Sequence, residues 1–302
     1  MSEGYRALRH KAARLDLSAR GRIRVTGRDR ARLLHNVTSN EVKKRAPGSG
    51  CYAFLLTPQG RIQADLNLLC FSDHFLIDAE PELREKIPQL ILKYKVADQV
   101  EVEDLTDRTF AIGLEGPGAA ATLTAAGAPI PSEPYAHLPW DKWTVANLSI
   151  SGEPGFRVFG EGPAPELFAE IPPASEADVR LVRIENGRPR FGEDIRETTL
   201  PQESGQMHAV NFQKGCYIGQ EIVERIRARG HVNKKLVRLA IDGAEAPPPG
   251  TALAADSQEE GEITSAVYSP ELARVAALGY VRVAYAEAGK VLDAKGVAAR
   301  VV

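Results

Sequence analysis

The spacing of apolar and polar positions changes repeatedly along the chain, and each change predicts an element. Glu3–Ala13 reads as a short basic helix, and Leu15–Ser18 and Arg22–Thr26 as strands joined by a turn at Gly21. Asp29 is placed to cap a helix over Arg30–Val37, which Thr38-Ser39-Asn40-Glu41 then breaks. Asn40 is either a simple turn former or a functional loop residue. Cys51–Leu56 and Arg61–Phe71 read as a hairpin around Pro58-Gln59-Gly60. In the return strand Ile62, Ala64, Leu66, Leu68 and Cys70 fall on one face. Gln63, Asp65 and Asn67 fall on the other, which either lines a cleft or is solvated. Beyond a strand at Phe75–Asp78, Pro81 opens a helix expected to run through Lys95.

Strands at Val100–Glu103 and Thr109–Leu114 lead into an Ala-rich helix ending at Gly127. Short strands follow at Trp143–Ser149 and Gly155–Val158, with a helix at Ala164–Ile171. Ser175 and Asp178 have capping-box spacing, so a helix starts there and runs to about Glu185, before Gly187 and Pro189. Another apolar pattern of helical spacing, Ile218, Ile222, Val223 and Ile226, ends near Gly230. From Leu236 onward short strands predominate, with Pro247-Pro248-Pro249 as a stiff connector. The order of strands, helices and paired strands predicts an α+β region over residues 1–230 rather than a doubly wound parallel sheet, followed by a small all-β domain over 231–302.

Composition narrows the class. The 302 residues suffice for two or three domains, and 43% are hydrophobic. Lys plus Arg is 38 against 40 for Asp plus Glu, a net charge of −2, which argues against general nucleic-acid binding. Three scattered cysteines, Cys51, Cys70 and Cys216, exclude a disulfide scaffold, and no two have the spacing of a dedicated zinc or iron–sulfur site. No apolar run approaches the roughly 20 residues needed to span a bilayer, and the N-terminus lacks an apolar signal core. The expected home is a reducing cytoplasm without membrane contact.

Two stretches concentrate chemistry. Lys214-Gly215-Cys216-Tyr217-Ile218-Gly219-Gln220-Glu221 places a thiol beside a base, just before or within the first turn of a helix. Helix N-termini and neighbouring cations lower thiol pKa values, so a reactive Cys216 is expected. Tyr217 is a stacking surface for a planar ligand or a core residue. Glu221 and Arg225 are spaced to pair across one helical turn, and the basic run Arg225, Arg227, Arg229 suits either solvent or a polyanionic tail. His208 and His231 are the nearest bases to the thiol, more suited to surface or turn positions. The second stretch is Arg183-Ile184-Glu185-Asn186-Gly187-Arg188-Pro189-Arg190. Glu185, in the last turn of its helix, opposes the macrodipole. Either Arg183, Arg188 and Arg190 compensate it, or it accepts paired N–H bonds from a ligand such as a pterin.

The eight-residue stretch resembles the signature of the YgfZ family, folate-binding proteins related to the T-protein of the glycine cleavage system. The likeness extends through the Arg183–Pro189 stretch, Pro201, Glu203, Val210-Asn211-Phe212, Gly27-Arg28-Asp29 and Leu56-Thr57-Pro58-Gln59-Gly60-Arg61. It implies a T-protein-like three-part ring, with two interleaved α+β subdomains and a C-terminal β-barrel around a central channel. It also implies a tetrahydrofolate ligand read by Glu185, with Tyr52 and Arg225 as further contact candidates. A third implication is a role in assembling or maintaining iron–sulfur clusters in client enzymes, with Cys216 as the functional thiol facing the channel. The related aminomethyltransferases use an acidic residue on the strand after the hairpin, a region that Asp65 occupies here. Folate-dependent aminomethyl transfer is therefore the alternative activity.

Overall fold

The computed structural model describes residues 1–230 and 232–302. In chain order the first elements are α1 (Glu3–His10), β1 (Ala13–Asp16), β2 (Gly21–Thr26), α2 (Arg30–Val37), β3 (Ser49–Leu56), β4 (Ile62–Cys70), β5 (Phe75–Ala79), α3 (Lys86–Lys93) and β6 (Glu101–Asp104). Next come β7 (Thr109–Glu115), α4 (Ala119–Ala125), β8 (His137–Trp140), β9 (Trp143–Ala146), β10 (Gly155–Glu161), α5 (Glu176–Glu185) and α6 (Gln220–Arg229). The last strands are β11 (Lys234–Ile241), β12 (Ala252–Ala255), β13 (Gln258–Ser269), β14 (Arg274–Arg282), β15 (Val291–Ala294) and β16 (Val297–Val301).

They form two five-stranded antiparallel sheets, β3-β4-β5-β2-β6 and β1-β7-β10-β9-β8, and a closed barrel, β11-β14-β13-β12-β15-β16. The α+β body and all-β tail are as the order of elements predicted, and the interleaved sheets and closed barrel are as the resemblance implied. The interleaving is literal: β1 belongs to the second sheet, although β2 to β6 build the first. The chain also returns late, with Phe191, Ile195, Ala209, Tyr217 and Val223 buried against the first sheet. Among the described residues no helix is long and apolar enough to cross a membrane.

Alternation along β4 sets up the site. Ile62, Ala64, Leu66 and Leu68 are buried with Leu33, Leu34 and Val37 of α2 and Ile87 and Ile91 of α3. Each buried Leu or Ile contributes roughly 1.5–3 kcal/mol, so this face is fixed and Asp65 and Asn67 must point the other way. Asp78 on β5 pairs with Arg20 at 3.0 Å and also with Arg157 on β10, joining the two sheets through buried charges. Burial alone would raise the Asp78 pKa, but Arg157 and Arg20 hold it well below the carboxylate range. Asp194, fully buried, accepts from Arg183 of α5 (2.6 Å) and from Thr264 (2.6 Å) and Ser265 (2.7 Å) of β13, which fastens the barrel to the rest.

Several expected elements differ. The helix expected through Lys95 is a 3₁₀ turn at Pro81–Leu83 followed by α3. Pro88 tolerates only the first turn of an α-helix, so α3 must begin just before it. The expected helix at 164–171 reduces to a 3₁₀ turn at Glu166–Phe168. Pro165 precedes it, and Pro172 steers Ile171 away from helical angles. Asp29 occupies its N-cap position without capping; its Oδ2 instead accepts from the Gln99 N–H at 2.8 Å.

Candidate functional site

Between the two sheets and α5 lies a cavity of about 680 Å³. Its wall starts on the polar face of β4. The Tyr52 hydroxyl on β3 donates to Asp65 Oδ2 at 2.7 Å. Tyr52 lies opposite Asn67, so Asp65 is its diagonal neighbour, within reach of a tyrosine side chain. Burial pushes the Asp65 carboxyl up to about 6; the Tyr52 hydrogen bond acts against this, and the Glu80 charge adds to it. Burial likewise raises Tyr52, together with the adjacent Asp65 charge. Asp65 is thus a carboxyl that exchanges its proton close to neutral pH.

His208 stacks on Tyr52 with ring centroids 5.3 Å apart and planes at 24°. Asn40 fixes both: its Nδ2 donates to the carbonyls of Tyr52 (2.8 Å) and His208 (2.9 Å). His208 is exposed on the 3₁₀ turn Met207–Ala209, as expected of it, and from there it also lines the cavity. Desolvation, with help from the Arg188 charge, lowers its pKa and keeps it neutral. Tyr135 completes the aromatic lining with a left-handed backbone, φ 65°. A Cβ at Gly50 would lie 2.8 Å from the Tyr135 carbonyl, so only glycine fits there. No sequence pattern marks Tyr135, since it sits in a Pro-rich connector.

The signature stretch leads into a helix, as expected. The helix begins at Gln220 with Gly219 as its N-cap, so Cys216 lies upstream of the first turn. Lys214 is buried, and its ammonium donates to the carbonyls of His35, Thr38 (2.6 Å) and Asn40 (2.8 Å), which occupy all three of its N–H bonds. Burial lowers Lys214 to about 8, which still leaves it mostly protonated at neutral pH. Lys214 thus closes the end of α2 rather than activating the thiol. Tyr217 is buried beneath it, 5.0 Å from Nζ to ring centroid, with its hydroxyl pushed up to about 12 by burial. The core alternative for Tyr217 holds. Gly219 (φ 82°) abuts the hairpin turn; a Cβ there would lie 2.5 Å from the Thr57 carbonyl. A Cβ at Gly215 would meet only His35 Nε2, at 3.9 Å, so packing does not explain that glycine. Gln220 is half-buried and Glu221 exposed.

Cys216, expected to face the channel, is exposed and is not among the residues that line this cavity. Arg225 pairs with Glu221 at 2.7 Å, as its spacing predicted, on the surface of α6. Arg227 lies 4.3 Å over the Phe212 ring, and neither arginine lines the cavity. Glu185 is also absent from the lining. It accepts from the Tyr5 hydroxyl at 2.9 Å and lies 3.7 Å from Arg9, so α1 supplies the compensation expected from nearby arginines. Those arginines bind elsewhere: Arg183 pairs with Glu193 and Asp194, and Arg190 with Glu80 and Glu82. His231 lies outside the described residues.

An antiparallel two-sheet body with an attached barrel and a buried carboxyl–tyrosine pair in its cavity defines the class. The GCVT N-terminal domain matches residues 1–152, and the glycine cleavage T-protein C-terminal barrel domain matches residues 234–302. The chain belongs to the glycine cleavage T-protein family. It is 29% identical over 282 residues to the chloroplastic protein At1g60990 of Arabidopsis thaliana, provisionally named a transferase; the match covers 89% of this chain and 65% of that protein. An aminomethyltransferase of Rubrobacter xylanophilus is 29% identical over 292 residues, 92% of this chain and 78% of that one. The glycine cleavage system aminomethyltransferase T from Bartonella henselae superposes with a TM-score of 0.90 at 22% identity, over 99% of this chain and 87% of that one, and so shares the fold.

Proposed function

We propose that the protein binds a tetrahydrofolate in the cavity and supports assembly or repair of iron–sulfur clusters in client enzymes through Cys216. The observation that carries the ligand reading is the Tyr52–Asp65 pair facing a space of about 680 Å³, within the size range of cofactor sites. A carboxylate accepts two parallel N–H bonds from the edge of a reduced pterin, and the Tyr52–His208 stack offers a flat surface beside it. Asn67 and Gln206 add amide groups to the lining. When bound, a tetrahydrofolate supplies ring nitrogens that carry one-carbon units. In this arrangement Asp65 takes the reading role that the resemblance gives to Glu185, and Tyr52 keeps Oδ2 oriented. Tyr135 and His208 cover the ring from water.

Support for the thiol role comes from its presentation. Cys51 and Cys70 are buried, and burial raises their pKa values, whereas Cys216 stands exposed on a turn held by Lys214 and Gly219. Calorimetric titration with tetrahydrofolate tests the first part; no heat of binding would sink it. A strain carrying only Cys216→Ala tests the second, with loss of iron–sulfur enzyme activity as the expected result.

A second reading, folate-dependent aminomethyl transfer of the glycine cleavage type, is favoured by Asp65 alone. A carboxyl with a pKa of about 6 can hold or release a proton beside a reacting nitrogen. Formation of methylenetetrahydrofolate from an aminomethyl-carrier donor by the purified protein would establish it.

A further inference from the structure

The arginines around the cavity are not equivalent. Arg20 pairs with Asp78 and Glu80, Arg180 and Arg183 with Glu193, and Arg190 with Glu80 and Glu82. Arg188 has no carboxylate partner among the described residues. Its side chain makes one hydrogen bond there, from Nη2 to the Ser149 carbonyl at 3.0 Å. It is exposed, lines the cavity, and lies near enough to bear on the acidity of Tyr52, Tyr135 and His208.

The guanidinium is also held in place. A Cβ at Gly152 would lie 2.8 Å from Arg188 Cγ, so the stem packs closely over the 149–152 turn. That turn is organised by Glu115, fully buried, whose carboxylate accepts from the N–H groups of Ile150 (2.8 Å) and Ser151 (2.9 Å) and from the Ser149 hydroxyl (3.0 Å). A planar cation anchored on one side, with the rest of its N–H fork uncommitted, matches a carboxylate in geometry and charge.

We infer that Arg188 is a specificity-determining residue that binds the carboxylate end of an elongated acidic ligand whose planar head lies against Tyr52, Asp65 and His208. The inference rests on the folate reading and names the part of the ligand that the aromatic wall does not read. It assigns to Arg188 the anion contact for which the sequence offered Arg225 and its neighbours on α6. Discrimination between ligands with and without the acidic tail then resides at the cavity mouth.

Calorimetry with two reduced pterins tests this: tetrahydrofolate, which carries the glutamate, and tetrahydrobiopterin, which does not. Arg188→Gln is expected to weaken tetrahydrofolate by on the order of tenfold, the worth of one charge-assisted contact, and to leave tetrahydrobiopterin unchanged. Arg188→Lys is expected to recover part of the loss. Equal weakening of both ligands, or of neither, with wild-type binding intact, overturns the assignment and leaves the folate reading standing. Failure of the wild-type protein to bind either pterin overturns the folate reading, and the Arg188 assignment falls with it.

Discussion

Lys214 donates to the backbone carbonyl of Asn40 at 2.8 Å, and the side chain of Asn40 in turn holds the carbonyls of Tyr52 and His208. The signature stretch and the aromatic wall of the cavity are therefore two ends of one hydrogen-bonded path. Asn40→Ala removes the middle and leaves two carbonyls without their amide donor. It is expected to lower stability by about 2–3 kcal/mol, read as a lower melting temperature, and to weaken tetrahydrofolate because the stack loosens. An unchanged melting temperature would show that Asn40 is only a turn former.

Asp65 gives stability a pH dependence with a definite sign. Its carboxyl titrates at about 6 in the folded protein against an ordinary 3.8. Between those values the folded state binds the extra proton, so the Asp65 contribution falls as pH rises and is fully lost above about pH 6. Asp65→Asn keeps an acceptor for Tyr52 and removes the buried charge. A gain on the order of 2–3 kcal/mol is expected at pH 8, vanishing below about pH 4. Melting curves at the two pH values decide; an equal gain at both would refute the assignment of burial as the cause.

The thiols separate by exposure. Iodoacetamide on the native protein is expected to modify Cys216, while Cys51 and Cys70 react only after unfolding. Peptide mass spectrometry reads the sites directly. Early labelling of Cys51 would contradict its burial beside the Glu41 carbonyl.

Glu185→Gln discriminates between the two roles considered for that residue. Its contacts to Tyr5 and Arg9 tie α5 to α1, so the variant should lose about 1–3 kcal/mol of stability and bind tetrahydrofolate with unchanged affinity. A selective loss of affinity at unchanged melting temperature would restore the ligand role.

Local features were legible in the sequence. The Ser175–Asp178 capping box forms in both directions, with Asp178 N to Ser175 Oγ at 3.2 Å and Ser175 N to Asp178 Oδ2 at 2.9 Å. Alternation along β4 placed Asp65 on the polar face, where it lines the cavity. Strands β12 and β15 escaped notice because each buries its one leucine, Leu253 or Leu292, within only four residues, too few to show a period. The Glu185 partners were invisible for another reason: Tyr5 is 180 positions away, and ion pairs carry no periodic signal. Lys214 looked like an activator of its neighbour because sequence proximity does not reveal that an ammonium is committed to three distant carbonyls.

The placement of β10 bears on how the protein is made. This strand, Gly155–Glu161, lies between β7 and β9 in the second sheet, yet it follows the segment 1–152 that matches the N-terminal domain. That segment is accordingly not a free-standing folding unit. On a ribosome the first sheet has all its strands once Asp104 has emerged, while β1 waits for β7 and the second sheet stays split until Glu161. The nascent chain thus passes through a stage with an open strand edge on β7, the kind of surface that invites mispairing and chaperone capture before translation ends.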